Sequence, residues 1–139
     1  MGSWTDIQKA SELASAFVDQ GVDVIMAKAD GGQLAALTVV NQRKILAVGS
    51  TGDMNAVQPD NVVGSARSRN DIAIYNAVTY WAKGNLPAAI YNWGAKEGCE
   101  DFLWNDKFKS QYPDLVTLVN QINADLVSGK ITEPPAPAQ

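Results

Sequence analysis

At 139 residues and 46% hydrophobic composition the chain suits one domain with a real core. Its net charge of −4, with eleven Lys and Arg scattered along the sequence, gives no basic stripe and argues against a nucleic-acid partner. The absence of histidine excludes imidazole metal sites, His triads and His general bases, and the single Cys99 has no disulfide partner and no His to activate it.

From Thr5, the pattern TDIQKASELASAFVDQG spaces Ile7, Ala10, Leu13, Ala14, Phe17 and Val18 as the apolar stripe of a helix, capped by Thr5 or Asp6 and stopped at Gly21. VDVIMAKA comes next as a β-branched run of the kind buried in a parallel sheet. Asp30-Gly31-Gly32 then reads as a loop, GQLAALTVVNQRK as a helix with basic residues in its last turn, and ILAVG as the next strand. Behind that strand, Gly49 to Asn55 reads as a second glycine-rich loop, and NVVGSA (61–66) as a third strand. DIAIYNAVTYWAKG places Ile72, Tyr75, Ala77, Val78 and Trp81 along a helix ended by Gly84, with Trp81 expected in the core. Ala88 to Trp93 is expected as a strand and CEDFLWNDKFKSQYP as irregular. From Pro113 a last helix carries Leu115, Val119, Ile122 and Leu126, with Gly129 beyond it, before a Pro/Ala-rich tail at 132–139. Alternating helix and strand implies an α/β fold, a three-layer sandwich on a mostly parallel sheet, in one lobe over 1–131.

Ligands of open parallel sheets collect beyond the carboxyl ends of the strands. Neighbouring strands would place Asp30, Gly31 and Gly32 on one rim with Ser50, Thr51 and Asp53, and would add Ser65 and Arg67. Asp30 and Asp53 suit sugar hydroxyls or, alternatively, the capping of a helix; the residues after Asp53 are not helix-like, so Asp53 is the better ligand contact. Ser50 and Thr51 read as donors and acceptors, because no base is in reach and the GxSxG elbow is absent. Neither GxxxxGK[ST] nor GxGxxG occurs, so no phosphate loop is expected. No cofactor, metal site or catalytic residue is expected either. Trp4, ahead of the first helix and on the same rim, is placed to stack on a ring; the other tryptophans read as core or interface. No run approaches the ~18 apolar residues of a membrane span.

GSW at 2–4, DQGVDVIMAKADGG at 19–32, ILAVGSTGDM at 45–54, PDNVVGSA at 59–66, YNWGAKEG at 91–98 and the closing SGKI with its proline at 134 resemble one family in order and spacing. It is the basic membrane protein group of bacterial substrate-binding proteins, the purine-nucleoside-receptor-like lipoproteins that serve ABC importers. The resemblance implies a flavodoxin-like single lobe of a type I periplasmic binding protein, the second half of a two-lobed member that holds a nucleoside in its cleft. It implies an ABC permease as partner and an extracytoplasmic home. It also implies that Asp53, or the Thr51 position, holds ribose hydroxyls. Family members often carry two acids in that loop, and here Thr stands at the first; Ser68, beside Arg67 and Arg69, stands where a lysine often sits. Both departures point to a different ligand chemotype. A lone lobe exposes what its partner lobe would cover, so a homodimer is expected; the alternative is a structural half-domain that homodimerises without binding ligand.

Overall fold

The structure, a computed structural model, describes residues 4–132. Gly2 and Ser3 of the GSW motif, and all but the first residue of the expected tail, lie outside the described residues. The chain divides into two compact units, Met1–Arg67 with Phe102–Gln111, and Ser68–Asp101 with Tyr112–Gln139.

The first unit opens with helix α1 (Ile7–Asp19), whose first turn is capped by Asp6: the carboxylate accepts the Lys9 N–H at 2.9 Å. Strand β1 (Val24–Met26) comes next, then α2 (Asp30–Arg43) and β2 (Leu46–Thr51). Small residues on the facing sides of α1 and α2, Ala10 and Ala14 against Gly32 and Ala36, let the two helices approach closely. A Cβ on Gly32 would stand 3.2 Å from the Ala10 methyl. The core beneath is made by Ile25, Leu37, Val40, Ala47 and Val62, of which the last three are fully buried.

β3 (Val62–Ser68) lies parallel to β2, and β1 parallel to β2 on its other side; β4 (Glu100–Trp104) completes a sheet of order β1-β2-β3-β4. β2 and β3 are joined by only ten residues, 52–61, without a helix. Turn bonds from Val57 N–H to Met54 O and from Val62 N–H to Gln58 O hold that connection. Asn105, at the end of β4, fixes β4 antiparallel to β3: its N–H donates to Val63 O at 3.1 Å, and its Nδ2 donates to Val62 O at 2.8 Å and Pro59 O at 3.0 Å. Gly64 is required by this pairing, because a Cβ there would come within 2.5 Å of the Phe102 ring. The same Asn105 caps the short helix α4 (Asp106–Lys109) through the Lys107 N–H.

The second unit holds α3 (Asn70–Ala82), a 3-10 turn at Ala95–Glu97 and α5 (Pro113–Val127), with Pro113 in the first turn where its missing N–H costs nothing. Cys99 is buried, with the Asn76 amide and the Glu97 carbonyl near its sulfur. Tyr80, Tyr91 and Trp93 pack as tilted rings, with centroids 5.5–5.8 Å from Trp93 to each tyrosine.

Outside the second glycine-rich loop, four sequence expectations change. The strand expected at Ala88 to Trp93 is absent: the segment runs on from Pro87 without regular structure, and Tyr91 and Trp93 turn to Tyr80 instead of a neighbouring strand. The irregular stretch expected after Cys99 instead contains β4 and α4, an edge strand whose acids and aromatics hide the alternation that would announce it. The loop expected at Asp30-Gly31-Gly32 is the first turn of α2, begun at Ala29, whose carbonyl the Gln33 N–H meets. Trp81, expected in the core, is 71% exposed, and none of the residues of α3 is buried.

A candidate ligand-binding rim at the strand carboxyl ends

β2 runs two residues further than ILAVG, so Ser50 and Thr51 belong to the strand and not to a loop. Ser50 is buried. Its N–H donates to Gln33 Oε1 at 3.0 Å, and its hydroxyl lies 2.6 Å from both Gln33 Oε1 and the Ala27 carbonyl. One hydroxyl proton is thus shared between two acceptors, and Ser50 ties the end of β2 to α2 through Gln33 and to the residue after β1 through Ala27. Ser65, fully buried on β3, is equally committed: its hydroxyl accepts the Met54 N–H and donates to Asn55 Oδ1, both at 3.0 Å. Both serines spend their hydroxyls inside the fold, where they fix the backbone between the two strands.

That backbone makes a tight reversal. The Gly52 N–H donates to Ser50 O at 2.8 Å, a three-residue turn centred on Thr51, whose φ is +69°. That is the backbone of a γ-turn of the rarer, strained hand, and a β-branched side chain at positive φ is a true outlier. Glycine would relieve it at the neighbouring position 52, yet the chain puts the turn on threonine. Asp53 comes next, exposed, with one carboxylate oxygen accepting the Asn55 N–H at 2.9 Å. Asn55 in turn reaches back to Leu103 O through its Nδ2. Across the ladder Thr51 sits opposite Arg67, half-buried on β3. Thr51, Asp53 and Arg67 are therefore gathered at the carboxyl ends of two adjacent parallel strands.

The other expected residues fall at the start of α2. Asp30 is exposed in its first turn, where a carboxylate complements the positive end of the helix. It does not cap the helix, because Ala29 holds that position. Gly31 and Gly32 leave room for the chain ahead of α1: the Gly32 N–H donates to Trp4 O at 3.3 Å, and a Cβ on Gly31 would touch Ile7 and Thr5. Trp4 is exposed. An apolar cavity of about 170 Å³ lies beside these residues, between α1, β1 and α2, lined by Leu13, Phe17, Met26, Ala27 and Ala29. Lys28 is its one lining residue with a polar side chain, where a solute site has several that converge; the γ-turn segment carries such groups instead.

Gln33 and Asn55 are the participants that sequence reasoning missed. The signal for Gln33 is an amide inside the apolar run of α2; for Asn55 it is an amide two residues beyond Asp53, the spacing of a side chain that turns the backbone. In the second unit, Arg69 forks onto Asp71 at 3.0 and 2.7 Å and also meets Asp101 at 3.5 Å, so its charge is balanced within that unit. The hydrogen bond from Arg69 holds the Asp71 carboxyl down to about 2. Among the described residues no cluster of His, Cys, Asp or Glu suits a metal ion, and no helix is long and apolar enough to cross a membrane.

Known proteins resemble the chain both in sequence and in fold. The family model described as Bmp, ABC transporter substrate-binding protein PnrA-like, matches residues 1–131. A purine-binding protein of Brucella abortus is 28% identical over 131 residues, which cover 94% of this chain and 36% of that protein. Basic membrane protein A1 of Borrelia garinii is 25% identical over 111 residues, covering 77% and 33%. In fold, a solute-binding protein of an ABC transporter system from Aeropyrum pernix superposes with a TM-score of 0.80 at 19% identity, over 99% of this chain and 47% of that one. A transcriptional activator of the comK gene from Bacillus halodurans gives 0.78, with the same identity and coverage. The chain thus spans about a third of the length of the curated relatives it matches and about half of the solved structures.

Proposed function

The chain belongs to the Bmp family of PnrA-like ABC-transporter substrate-binding proteins, and from that premise we propose that it supplies one wall of a cleft for a purine nucleoside or a related small molecule, delivered to an ABC permease outside the cytoplasm, without catalysis. The observation that carries the reading is the strained turn at Thr51. Strain of this kind persists only where the surroundings over-determine it, and it gathers at ligand clamps. Here the buried bonds of Ser50 and Ser65 hold the turn from both sides. The turn aims Asp53 outward with one oxygen already anchored, a geometry suited to paired hydroxyls of a sugar. Arg67 and Thr51 add donors beside it, Trp4, Asp30, Gly31 and Gly32 extend the wall along α2, and the serines at 50 and 65 serve by position. The name of the Brucella relative supports a purine as the base.

One wall of a cleft leaves much of a ligand in water, so affinity in the isolated chain is weak. Thermal unfolding with adenosine or guanosine tests the reading, since a ligand at about 100 times its dissociation constant adds about 2.7 kcal/mol to stability. A stabilisation that grows with nucleoside and vanishes in Asp53→Ala is expected. No shift with either nucleoside up to its solubility limit would sink the reading. The second reading is a half-domain that self-associates without ligand, and the exposed apolar face of α3 favours self-association in either case.

A further inference from the structure

We propose that α3 is a homodimerisation helix: its outer stripe pairs antiparallel with α3 of a second copy, about a two-fold axis passing Val78. The inference deepens the self-association part of the proposed function and is independent of the ligand part.

Exposed side chains on α3 are its largest apolar ones: Ile74 at 66%, Tyr75 at 71%, Val78 at 59% and Trp81 at 71%. Their spacing of three and four residues puts them on one helical stripe, the reverse of the usual pattern in which such a stripe faces the core. Between Asp71 and Lys83 the helix carries no charge at all. Tyrosine and tryptophan are the residues most enriched at protein interfaces.

The occupant is decided by area and by symmetry. Aromatic side chains bury roughly 150–250 Å² each, so Tyr75 and Trp81 at their observed exposure offer roughly 110–180 Å² apiece. With Ile74 and Val78 the stripe amounts to roughly 300–500 Å² from one copy. Doubled across a two-fold, and with the flanking residues added, this reaches the ~1,000 Å² at which specific but weak association begins. A two-fold at Val78 sets Tyr75 against the partner's Trp81 and Ile74 over the partner's Ala82, a large side chain onto a small one. A parallel pair would instead stack Trp81 on the partner's Trp81 and align the helix dipoles unfavourably, whereas the antiparallel pair opposes them. The stripe is therefore complementary to its own inverted copy.

Sedimentation equilibrium from about 5 μM to about 500 μM, the range that brackets an interface of this size, is the test. The mass is expected to rise from one 14.9 kDa chain to a plateau at two, with no loss of association in high salt because no charge sits on the stripe. Trp81→Asp and Tyr75→Asp should each weaken dimerisation by about tenfold or more, and at the dilute end of the range, where the chain is a monomer, they should leave the thermal midpoint close to that of the parent, since both residues are exposed. Leu118→Asp, on the smaller exposed stripe of α5, should leave it unchanged. A monomer throughout the range overturns the inference, and with it self-association, while the nucleoside titration of the same sample still decides the ligand reading. A dimer indifferent to both α3 variants, one dissolved by Leu118→Asp, or a mass that climbs without a plateau overturns the α3 pairing itself.

Discussion

Gly49 sits inside β2, and replacing it with alanine should damage the fold far more than the same change three residues on. A Cβ at position 49 would stand 2.6 Å from the Met54 Cβ and 2.6 Å from the Ser65 hydroxyl. Neither neighbour is a flexible tip. The Met54 Cβ is fixed to a backbone whose N–H the Ser65 hydroxyl holds, and that hydroxyl is also bonded to Asn55. Relief therefore requires moving β3 or the γ-turn segment, and overpacking of this kind costs about 1–3 kcal/mol. With two contacts at 2.6 Å on neighbours that are held, the cost lies at the upper end of that range; the gain from replacing a strand glycine returns up to about 1 kcal/mol, which leaves a net loss of about 2 kcal/mol. At Gly52 a Cβ meets only the Met54 Cε, at 3.6 Å, an ordinary contact, so Gly52→Ala should be neutral or slightly stabilising through the unfolded chain. Urea unfolding followed by circular dichroism reads the difference: with a slope of about 2 kcal/mol/M, Gly49→Ala lowers the midpoint by about 1 M and Gly52→Ala leaves it within about 0.3 M. An unchanged midpoint for Gly49→Ala, or equal damage from both variants, would refute the reasoning that position 49 has no room for a Cβ while position 52 does.

Ser50→Ala removes the one proton shared by Ala27 O and Gln33 Oε1 from a buried site, a loss of about 1–3 kcal/mol; a fall in the thermal midpoint of roughly 3–8 °C is expected, and no fall would show that the hydroxyl is not needed to hold β2 to α2. Burial raises the Cys99 thiol above its ordinary range. A disulfide reagent at pH 8 should therefore modify the native chain at least about tenfold more slowly than the urea-unfolded one, and equal rates would contradict the burial. Arg69 depresses the Asp71 carboxyl from 3.8 to about 2, so the stabilisation from that pair is complete above pH 3.8 and is lost as pH falls from there toward 2. Asp71→Asn should flatten the acid limb of the stability curve in that window, measured by urea midpoints at stepped pH, and an identical limb would remove Arg69 as the cause.

The periodic helices were legible because their stripes and stops are local: Asp6 and Gly21 bound α1, and Pro113 and Gly129 bound α5. The parallel strands β1 to β3 were legible for the same reason, as short β-branched runs between helix signals. β4 was not, since Glu100 and Asp101 sit on an edge where no second face selects for alternation. Ala88 to Trp93 misled in the opposite sense, because aromatic and β-branched content serves a ring cluster as well as a strand. Trp81 was misplaced because periodicity reveals that a helix has an apolar face and never which body covers it. At the candidate rim, the sequence put Thr51, Asp53 and Arg67 at neighbouring strand ends, as the fold has them, but did not show which side chains brace the backbone. That Ser50 and Ser65 are buried braces while Thr51 carries a γ-turn depends on Gln33, Met54 and Asn55, contacts 10 to 17 residues away in sequence.

Asn105 donates to carbonyls of Pro59, Val62 and Val63, more than forty residues earlier in the chain. Thirty-four residues, 68–101, separate the two parts of that unit. Until that loop closes, β3 has an unpaired outer edge and Gly64 is uncovered, the kind of surface that pairs wrongly with a second chain. Closure of a loop this long is an entropic cost met before its contacts reward it, so refolding is paced by the arrival of Asn105 and not by the local helices. Dilution during refolding thus becomes a determinant of yield, because it lowers the rate of wrong pairing without slowing that closure.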